Sequence, residues 1–387
     1  MDFPQSAQRR KPLNRWSSFF RGAVRVSLFN RDCTFSKAVS YTHLQDEQPN
    51  TDDQSQMGEN DQNGTEDDTF TITNELLKQA EADMLEALAP LPEMGNGEKI
   101  GVVAFSMTNP FWVTVQEGYE DAAKEYGVTV DVVASPDEAD EQGQADAMTT
   151  LLAQDYDAFA VSAMTPFSLV NPVAEATKQG IPVVAVGTDI DKDAAADAGA
   201  EIVAFVTSDF EAQGKLGATY IMELLGGSGK VAVIEGQAGA DNSEQRKRGA
   251  IAGFEENGGE IVAVEAADWD RQKAYDIATN ILNANPDLGG IMCANDEMAL
   301  GVVEAMKAAG VKDQVKVVGI DFIEEAKTSI ENGELDGSVV MSPYLFGKAG
   351  LILSLKAVQG HEIPEDIFWT PFALVNSENV DQYDGWK

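Results

Sequence analysis

The most restrictive feature of the sequence is a regular alternation of short apolar runs with stretches of helical periodicity, which begins at Lys99. The apolar runs are rich in β-branched residues and fall into two series. The first contains KIGVVAF, VTVDVVA, DAFAVSA, IPVVAVG and EIVAFVTS, and the second contains KVAVIEG, EIVAVEA, LGGIMCAN, VKVVGID and LDGSVVM. Strands that alternate with helices form parallel sheets with helices on both faces. Two such series predict an α/β fold of two lobes, each a doubly wound parallel sheet.

The sequence before this alternation has a different composition. Residues 51–72 form an acidic run, rich in Gln, Asn, Asp and Gly, with too little apolar surface to offset the entropy of ordering it. We therefore expect residues 1–72 to be a disordered or atypical N-terminal tail. Arginines interrupt every apolar stretch that could be the core of a secretory signal, so no intact signal peptide is predicted. The leucine spacing of ELLKQAEADMLEALAPL predicts an amphipathic helix, followed by a linker, within residues 73–95.

Composition argues against several classes of function. The 387 residues include 65 acidic and 27 basic ones, a net charge of −38, and so acidic a surface repels the phosphates of nucleic acids. No stretch approaches the roughly 18–20 apolar residues of a membrane span. The two cysteines, Cys33 and Cys293, have neither the spacing nor the context of a metal site, and Cys293 is typical of a small buried residue. We expect no metal, no cofactor and no nucleic acid partner.

Polar and aromatic side chains follow several predicted strands, at the sheet edge where doubly wound sheets bind their ligands. SMTNPFW follows the first strand and GTDI the fourth, and the second series adds GADNSEQRKRG, ADWDRQKA, CANDEMALG and VGIDFIEE. Together they supply aromatic rings, one guanidinium, two amides and one carboxylate: Phe111, Trp112, Trp269, Arg246, Asn109, Asn295 and Asp321. Because a sugar offers hydroxyl groups that both donate and accept, and apolar faces that pack on aromatic rings, this mixture predicts a sugar or polyol site.

Each of these residues also has a structural interpretation. Trp269 could cap the core between strands, and Asn295 with Asp296 could cap the helix that follows. Arg246 could lie on a solvated helix face. Their coincidence at one sheet edge favours a common binding site.

From about residue 98 to 376 the chain resembles the type I periplasmic sugar-binding proteins of ABC importers, in particular their ribose-binding group. The resemblance rests on SMTNPFW, GADNSEQRKRGAIAGF, ADWDRQKA, CANDEMALG and VVGID, in this order and at this spacing. It implies that aromatic residues of these motifs stack on the ligand, namely Phe111, Trp112 and Trp269. It implies that polar ones hydrogen-bond to it, namely Ser106, Asn109, Arg246, Asn295 and Asp321.

The same resemblance implies a hinge in which the chain crosses between the lobes three times. The crossings are expected near residues 205–210, 338–343 and 370–374. The first lobe would contain residues 97–207 and about 342–371, and the second residues 208–341 and about 372–387.

Two positions depart from the ribose-binding pattern. Ribose binders have an Asp-Arg pair after the fourth strand, where this chain has Gly187 and Thr188, with Asp189 one place later. They also have a glutamine where this chain has Met341. A hydroxyl group left without a partner weakens binding by about 1–3 kcal/mol, so ribose is not the expected ligand. We expect a deoxy sugar, a methyl-bearing sugar or a differently shaped polyol, with Thr188 or Asp189 reaching it.

The resulting prediction is an extracytoplasmic solute-binding protein rather than an enzyme. It would capture a monosaccharide or related polyol by hinge closure and deliver it, as a monomer, to the membrane permease of an ABC importer. The two histidines, His43 and His361, cannot build a catalytic triad or a His-rich metal site in the cleft. Three alternatives stay open: a protein that presents bound sugar to a membrane receptor, a sugar-responsive repressor, and a glycosidase that uses Asp189 and Asp321. The repressor is disfavoured because the first residues show no helix-turn-helix pattern.

Overall fold

The computed structural model describes residues 75–363 and 367–383, so the predicted tail, residues 1–72, lies outside the described part of the chain. The described residues form twelve strands, eleven α-helices and a short 3-10 helix, Val380–Gln382. The strands are β1 (Lys99–Ser106), β2 (Thr129–Ser135), β3 (Ala158–Val161), β4 (Val183–Val186), β5 (Ala204–Thr207), β6 (Gly229–Glu235), β7 (Gly259–Ala266), β8 (Leu288–Cys293), β9 (Lys316–Asp321), β10 (Gly337–Met341), β11 (Ile367–Trp369) and β12 (Phe372–Val375). The helices are α1 (Glu75–Ala87), α2 (Pro110–Tyr126), α3 (Glu141–Leu152), α4 (Val170–Gln179), α5 (Lys192–Ala198), α6 (Phe210–Leu224), α7 (Asp241–Glu256), α8 (Arg271–Ala284), α9 (Asp296–Ala309), α10 (Glu324–Glu331) and α11 (Pro343–Val358).

The strands form two six-stranded sheets, one in each lobe. The first sheet has the order β11-β5-β4-β3-β1-β2, and all its neighbouring strands are parallel. The second has the order β12-β10-β9-β8-β6-β7 and is parallel except for β12, which runs antiparallel to β10. The strand order reverses between β1 and β3 in one sheet and between β6 and β8 in the other. Ligands of doubly wound sheets bind at such switch points.

The chain passes between the two sheets three times. The passages run from β5 to α6, from β10 to α11, and from β11 to β12. Helix α6 packs on strands of the second sheet, whereas α11 packs on α2 and on strands of the first. The predicted fold class, two doubly wound parallel-sheet lobes joined by a three-crossing hinge, is confirmed.

Two helices that begin beside the cleft are capped by the asparagines singled out in the sequence. The Asn109 side-chain oxygen accepts a hydrogen bond from the backbone N–H of Phe111 at 2.9 Å, and Pro110 fills the first helical position, where a missing N–H does no harm. The Asn295 side-chain oxygen accepts from the backbone N–H of Met298 at 3.0 Å. These caps turn the chain sharply from strand to helix, so the intervening residues stay at the carboxyl edge of each sheet.

Helix α1 is part of the body of the first lobe. Lys348 on α11 pairs with Glu81 at 2.7 Å and with Glu125 at 2.9 Å. Lys356, which is fully buried, donates to the backbone carbonyl of Leu88 at 2.6 Å, just beyond the end of α1. Because a buried ammonium group needs a partner, α1 and α11 stabilise each other.

Three further features of the described residues can be set beside the expectations from composition. Cys293 is fully buried in β8, as predicted. None of the described helices has the length and apolar character needed to cross a bilayer. In the same part of the chain, no group of three or more His, Cys, Asp or Glu residues could hold a metal ion.

Candidate functional site

A cavity lies at the carboxyl ends of the strands, and both lobes line it. Its lining comprises aromatic, polar and charged residues of both lobes: Phe105, Asn109, Phe111, Trp112, Glu138, Gly187, Thr188, Phe210, Asn242, Arg246, Trp269, Asn295, Asp321 and Phe346. The first lobe contributes residues of β1, α2 and α11 and of the loops after β2 and β4. The second lobe contributes residues of α6 and α7, the last residue of β9, and residues of the loops after β7 and β8. The cavity therefore lies at the position that the switch points of both sheets predict.

The first-lobe wall of the cavity is a cluster of aromatic rings. Trp112 stacks on Phe105, with ring centroids 4.5 Å apart and an angle of 7° between the planes. Phe111 meets Trp112 edge to face at 5.1 Å, and Phe346 meets Phe111 edge to face at 6.1 Å. These are the arrangements that aromatic pairs favour. The wall is thus held rigid by contacts within its own lobe, and Phe105 covers one face of Trp112.

The second-lobe wall is polar and is organised around Arg246. Only 4% of Arg246 is exposed, so the alternative interpretation of a solvated helix face is wrong. Its Nη1 donates to the carbonyl of Ala294 at 2.8 Å, its Nη2 donates to Asp321 at 3.4 Å, and the guanidinium lies 5.1 Å from the ring centroid of Phe210. Its Nε has no hydrogen-bond partner in the described part of the chain. A planar guanidinium with an unused donor at a cavity is suited to binding a hydroxyl or carboxylate oxygen.

Trp269 completes this wall, with 8% of its surface exposed. Its ring packs directly over Gly236, where a Cβ atom would collide with it, so a glycine is required at that position. The buried indole N–H has no hydrogen-bond partner among the described residues. Trp269 therefore combines the structural role considered from sequence with a free donor beside the cavity.

The second-lobe wall also carries strained backbone. The described non-glycine residues with positive φ are Asp268 (52°), Trp269 (65°), Asp321 (114°) and Phe322 (61°). They form two adjacent pairs, and each pair contains a residue of the cavity lining. Non-glycine residues in such conformations persist only where surrounding contacts hold them, and they concentrate at functional sites.

The fully buried carboxylate of Asp296 holds one of these strained pairs. It accepts hydrogen bonds from the Ser338 hydroxyl at 2.8 Å and from the backbone N–H of Ile323 at 3.0 Å. The loop after β9 is thereby fixed to the start of α9 and to β10. Asp296 thus braces Asp321 from behind instead of lining the cavity.

Burial changes the ionisation of Asp321. Loss of hydration raises the pKa of its carboxyl to about 7, although the charge and hydrogen bond of Arg246 act in the opposite direction. The sequence places Arg246 and Asn295 near Asp321, an arrangement expected to keep its carboxylate ionised, but burial opposes this and raises the pKa toward neutral pH. The physical reason is that burial disfavours the charged form of both groups. It raises the pKa of Asp321 and lowers the pKa of Arg246.

The structure brings eight of the eleven residues predicted from sequence into the cavity lining: Asn109, Phe111, Trp112, Thr188, Arg246, Trp269, Asn295 and Asp321. The Thr188 hydroxyl donates to the carbonyl of Ala163 at 2.7 Å, so its hydrogen is already engaged.

The other three lie beside the cavity instead of in its lining. The Ser106 hydroxyl accepts from the backbone N–H of Thr108 at 3.2 Å and shapes the loop before α2. Asp189 accepts from the N–H of Ile190 at 2.8 Å. The Met341 sulfur lies 3.4 Å from the Gln213 amide nitrogen and 4.0 Å from Arg246.

Sequence reasoning missed five residues that line the cavity: Phe105, Glu138, Phe210, Asn242 and Phe346. Glu138 lies in SPDEAD, directly after β2, so the strand-end rule applied to this strand would have found it. Asn242 lies in a segment already singled out, GADNSEQRKRG, beside Arg246. Phe210 follows the first hinge passage and has no local signal of its own.

Comparison with known proteins places this geometry among solute-binding proteins. The periplasmic binding protein domain family matches residues 100–362. The D-allose-binding periplasmic protein of Escherichia coli (strain K12) is 43% identical over 284 residues, which are 73% of this chain and 91% of that protein. A solved ABC transporter solute-binding protein from Actinobacillus succinogenes 130z, with bound D-allose, is 30% identical with a TM-score of 0.69 and covers 74% of this chain and 100% of its own. Another from Agrobacterium vitis, with bound D-fucose, is 27% identical with a TM-score of 0.69 and covers 73% of this chain and 97% of its own.

Two α/β lobes, a three-crossing hinge and a cavity lined from both sides define a two-lobed ligand-binding protein. The chain belongs to the periplasmic binding protein family. The family predicted from the strand-end motifs is thereby confirmed. The relatives are a D-allose-binding periplasmic protein and ABC transporter solute-binding proteins with bound D-allose or D-fucose, which agrees with the predicted function.

Proposed function

We propose that this protein binds a monosaccharide or related polyol in the cavity between its lobes and delivers it to the permease of an ABC importer. The observation that carries the proposal is the pairing of an aromatic wall on one lobe with a hydrogen-bonding wall on the other. A pyranose ring has apolar C–H faces and a rim of hydroxyl groups, and the two walls match these two kinds of surface. Relatives that bind D-allose support a hexose of this type as the first candidate.

Each wall has a distinct role in this proposal. Phe111 and Trp112 pack against the sugar ring, and Trp269 approaches from the second lobe. Arg246, Asn295 and Asp321 bind the hydroxyl groups, with Asn109 contributing from the first lobe. The remaining predicted residues, Thr188, Ser106, Asp189 and Met341, act on the ligand directly or through the neighbours that they contact.

Ligand capture and lobe closure are coupled in the proposal. A sugar held by both walls binds the closed arrangement more tightly than the open one, and only such a difference in affinity shifts the equilibrium. The three passages between the sheets are the hinge, because a few residues there can absorb the change in backbone angles. We take the lobes to be residues 97–207 with 342–371, and residues 208–341 with 372–387. The protein would act outside the cytoplasm, as a monomer and without catalysis.

The experiment is a thermal-melt screen of the full chain against D-allose, D-fucose, D-ribose and myo-inositol. A ligand at about 100 times its dissociation constant adds about 2.7 kcal/mol to the free energy of unfolding. For a chain of this size, we expect the melting temperature to rise by roughly 5 °C. D-Ribose should give a smaller rise than D-allose, because Gly187, Thr188 and Met341 replace hydrogen-bonding groups of the ribose pattern. No shift with any of the four compounds would contradict the proposal.

A further inference from the structure

Glu138, on the loop between β2 and α3, is a charged residue of the cavity that no sequence motif had indicated. The Asn109 amide nitrogen donates to the Glu138 Oε1 at 3.1 Å. The Glu138 carboxylate also accepts a hydrogen bond from the side chain of Trp112. Both neighbours belong to the first-lobe wall, so Glu138 is fixed against the aromatic cluster. Its loop neighbours are engaged elsewhere, because Asp137 accepts from the N–H of Ala139 and Asp140 caps α3.

The charges of the cavity leave Glu138 without a cation of its own. Three charged side chains line the cavity: Glu138, Arg246 and Asp321. Arg246 is engaged by Asp321 and by the carbonyl of Ala294, and no described Lys or Arg forms an ion pair with Glu138. Asp321, at the end of β9, and Glu297, on α9, are acids that repel a charged Glu138, and Arg246 attracts it electrostatically without forming an ion pair.

Glu138 nevertheless retains acceptor capacity. An ionised carboxylate has about four lone-pair sites, and Asn109 and Trp112 each supply one donor. The Asn109 oxygen is occupied by the N–H of Phe111, so the orientation of the Asn109 amide toward Glu138 is fixed. The unused acceptor sites lie beside the ring wall, where the rim of a stacked sugar would present hydroxyl groups.

We propose that Glu138 is a specificity-determining residue of the first lobe, whose carboxylate accepts hydrogen bonds from hydroxyl groups of the bound sugar, so that binding is coupled to release of a proton. This inference rests on the proposed function of the same cavity. The proton leaves the Glu138 carboxyl for solvent, and the hydroxyl hydrogens of the sugar replace it as partners of the carboxylate oxygens.

The direction of the pH dependence follows from the environment of Glu138. Burial raises the pKa of the Glu138 carboxyl to about 7, and the nearby Asp321 and Glu297 add to the rise against the hydrogen bonds of Asn109 and Trp112. Hydroxyl groups that donate to the carboxylate favour the charged form, so the pKa of Glu138 is lower in the complex than in the free protein. The contribution of Glu138 to affinity is therefore fully present above about pH 7 and is lost as the pH falls below it, by at most about tenfold per pH unit.

The test is isothermal titration calorimetry of the full chain with D-allose at pH 5.5, 6.5, 7.5 and 8.5. D-Fucose replaces D-allose if D-allose does not raise the melting temperature. Each titration is repeated in two buffers with different ionisation enthalpies, which counts the protons released. The variants are Glu138→Gln, which keeps the shape and the acceptor for Asn109, and Asp137→Asn, an exposed neighbour outside the cavity lining. Melting of each variant without sugar verifies that it folds.

For the wild type we expect affinity to rise between pH 5.5 and 7.5 with a fraction of a proton released. Asp137→Asn should behave like the wild type. Glu138→Gln should bind about tenfold more weakly at pH 8.5, as expected for one lost hydrogen bond to a charged group, and release fewer protons. A pH dependence that persists in Glu138→Gln is expected from Asp321, the other carboxyl of the lining, whose pKa is also raised to about 7.

The outcomes separate this inference from the proposed function. If neither sugar binds the wild type, the proposed function fails and this inference fails with it. If sugar binds and Glu138→Gln has the wild-type affinity, pH profile and proton release, the role of Glu138 is wrong and the proposed function stands. If affinity falls with rising pH in the wild type but not in Glu138→Gln, Glu138 donates a proton to the ligand, and this result also overturns the inference. If Glu138→Gln does not fold, Glu138→Asp, which keeps the charge but shortens the side chain, takes its place, and wild-type affinity and proton release in Glu138→Asp would overturn the inference.

Discussion

The two walls of the cavity are built in opposite ways. The first-lobe wall consists of rings that pack on one another, and its central residues lie at the end of a strand and the start of a helix with ordinary backbone geometry. The second-lobe wall combines polar side chains with two residues of positive φ, Trp269 and Asp321, and is held by a buried arginine and a buried carboxylate. One wall is fixed by apolar packing and the other by hydrogen bonds that outweigh backbone strain.

The difference assigns separate physical roles to the walls. Removal of a packed ring leaves a void, which chiefly lowers the stability of the lobe. Removal of a polar group beside the cavity takes a partner from the ligand, which chiefly lowers affinity. The contrast would be contradicted by a ring substitution in the first-lobe wall that lowers affinity but not stability. It would also be contradicted by a polar substitution in the second-lobe wall that lowers stability but not affinity.

The largest effect is expected from Phe105→Ala in the first-lobe wall. Phe105 is 2% exposed and stacks behind Trp112, so truncation should lower the free energy of unfolding by about 3–5 kcal/mol. The measurement is chemical denaturation without sugar. Phe167→Ala is the matched control, because Phe167 belongs to the same lobe but is 63% exposed, and it should change stability by less than about 0.5 kcal/mol. Equal effects of the two substitutions would show that the ring cluster does not stabilise the lobe.

The next effect is a loss of affinity in Arg246→Ala. The substitution removes the guanidinium at the centre of the second-lobe wall, and dissociation constants measured by titration should rise more than about tenfold. The pKa of Asp321 is already raised to about 7, so its carboxyl can take up a proton when the guanidinium is lost, and the protein should still fold. Arg248→Ala changes an exposed arginine of the same helix and should leave affinity unchanged. Equal affinity of Arg246→Ala and wild type would place the binding site elsewhere.

The smallest effect is the difference in stability between a glycine and an alanine variant of the same tryptophan. This difference should have opposite signs at Trp269 and Trp112. Trp269 has φ of 65°, so Trp269→Gly should be more stable than Trp269→Ala by about 1 kcal/mol, because glycine adopts this conformation without steric strain. Trp112 lies within helix α2, so Trp112→Gly should be less stable than Trp112→Ala by about 1 kcal/mol. Chemical denaturation of the four variants tests both differences. The same sign at both positions would contradict the contrast in backbone strain.

The sequence predicts the first-lobe wall better than the second. Phe111 and Trp112 follow a strand directly and precede a helix with a clear cap, so their place at the sheet edge follows from the pattern of strands and helices. For Arg246 and Asn295 the pattern predicts the edge, but burial depends on tertiary packing that no short motif reveals. The positive φ of Trp269 and Asp321 has no sequence signal, because these residue types do not mark such a conformation as glycine does.

Side-chain direction is the other property that the sequence leaves open. Ser106 ends a strand and Thr188 and Asp189 follow one, yet each engages a nearby backbone group, and only Thr188 lines the cavity. Glu138 was indistinguishable by type from the other acidic residues of a chain with 65 of them. It enters the cavity because the loop after β2 turns toward Asn109 and Trp112, a contact between segments about 29 residues apart in sequence.

The central claim is that one sugar ring contacts both walls of the cavity, and a crystal structure of the full chain with the sugar selected by the melting screen tests it most directly. The account predicts electron density for the sugar between the lobes, with its ring against Phe111 and Trp112 and its hydroxyl groups hydrogen-bonded to Arg246, Asn295 or Asp321. A sugar bound outside the cavity, or held by the first lobe alone without a hydrogen bond to the second, would contradict it.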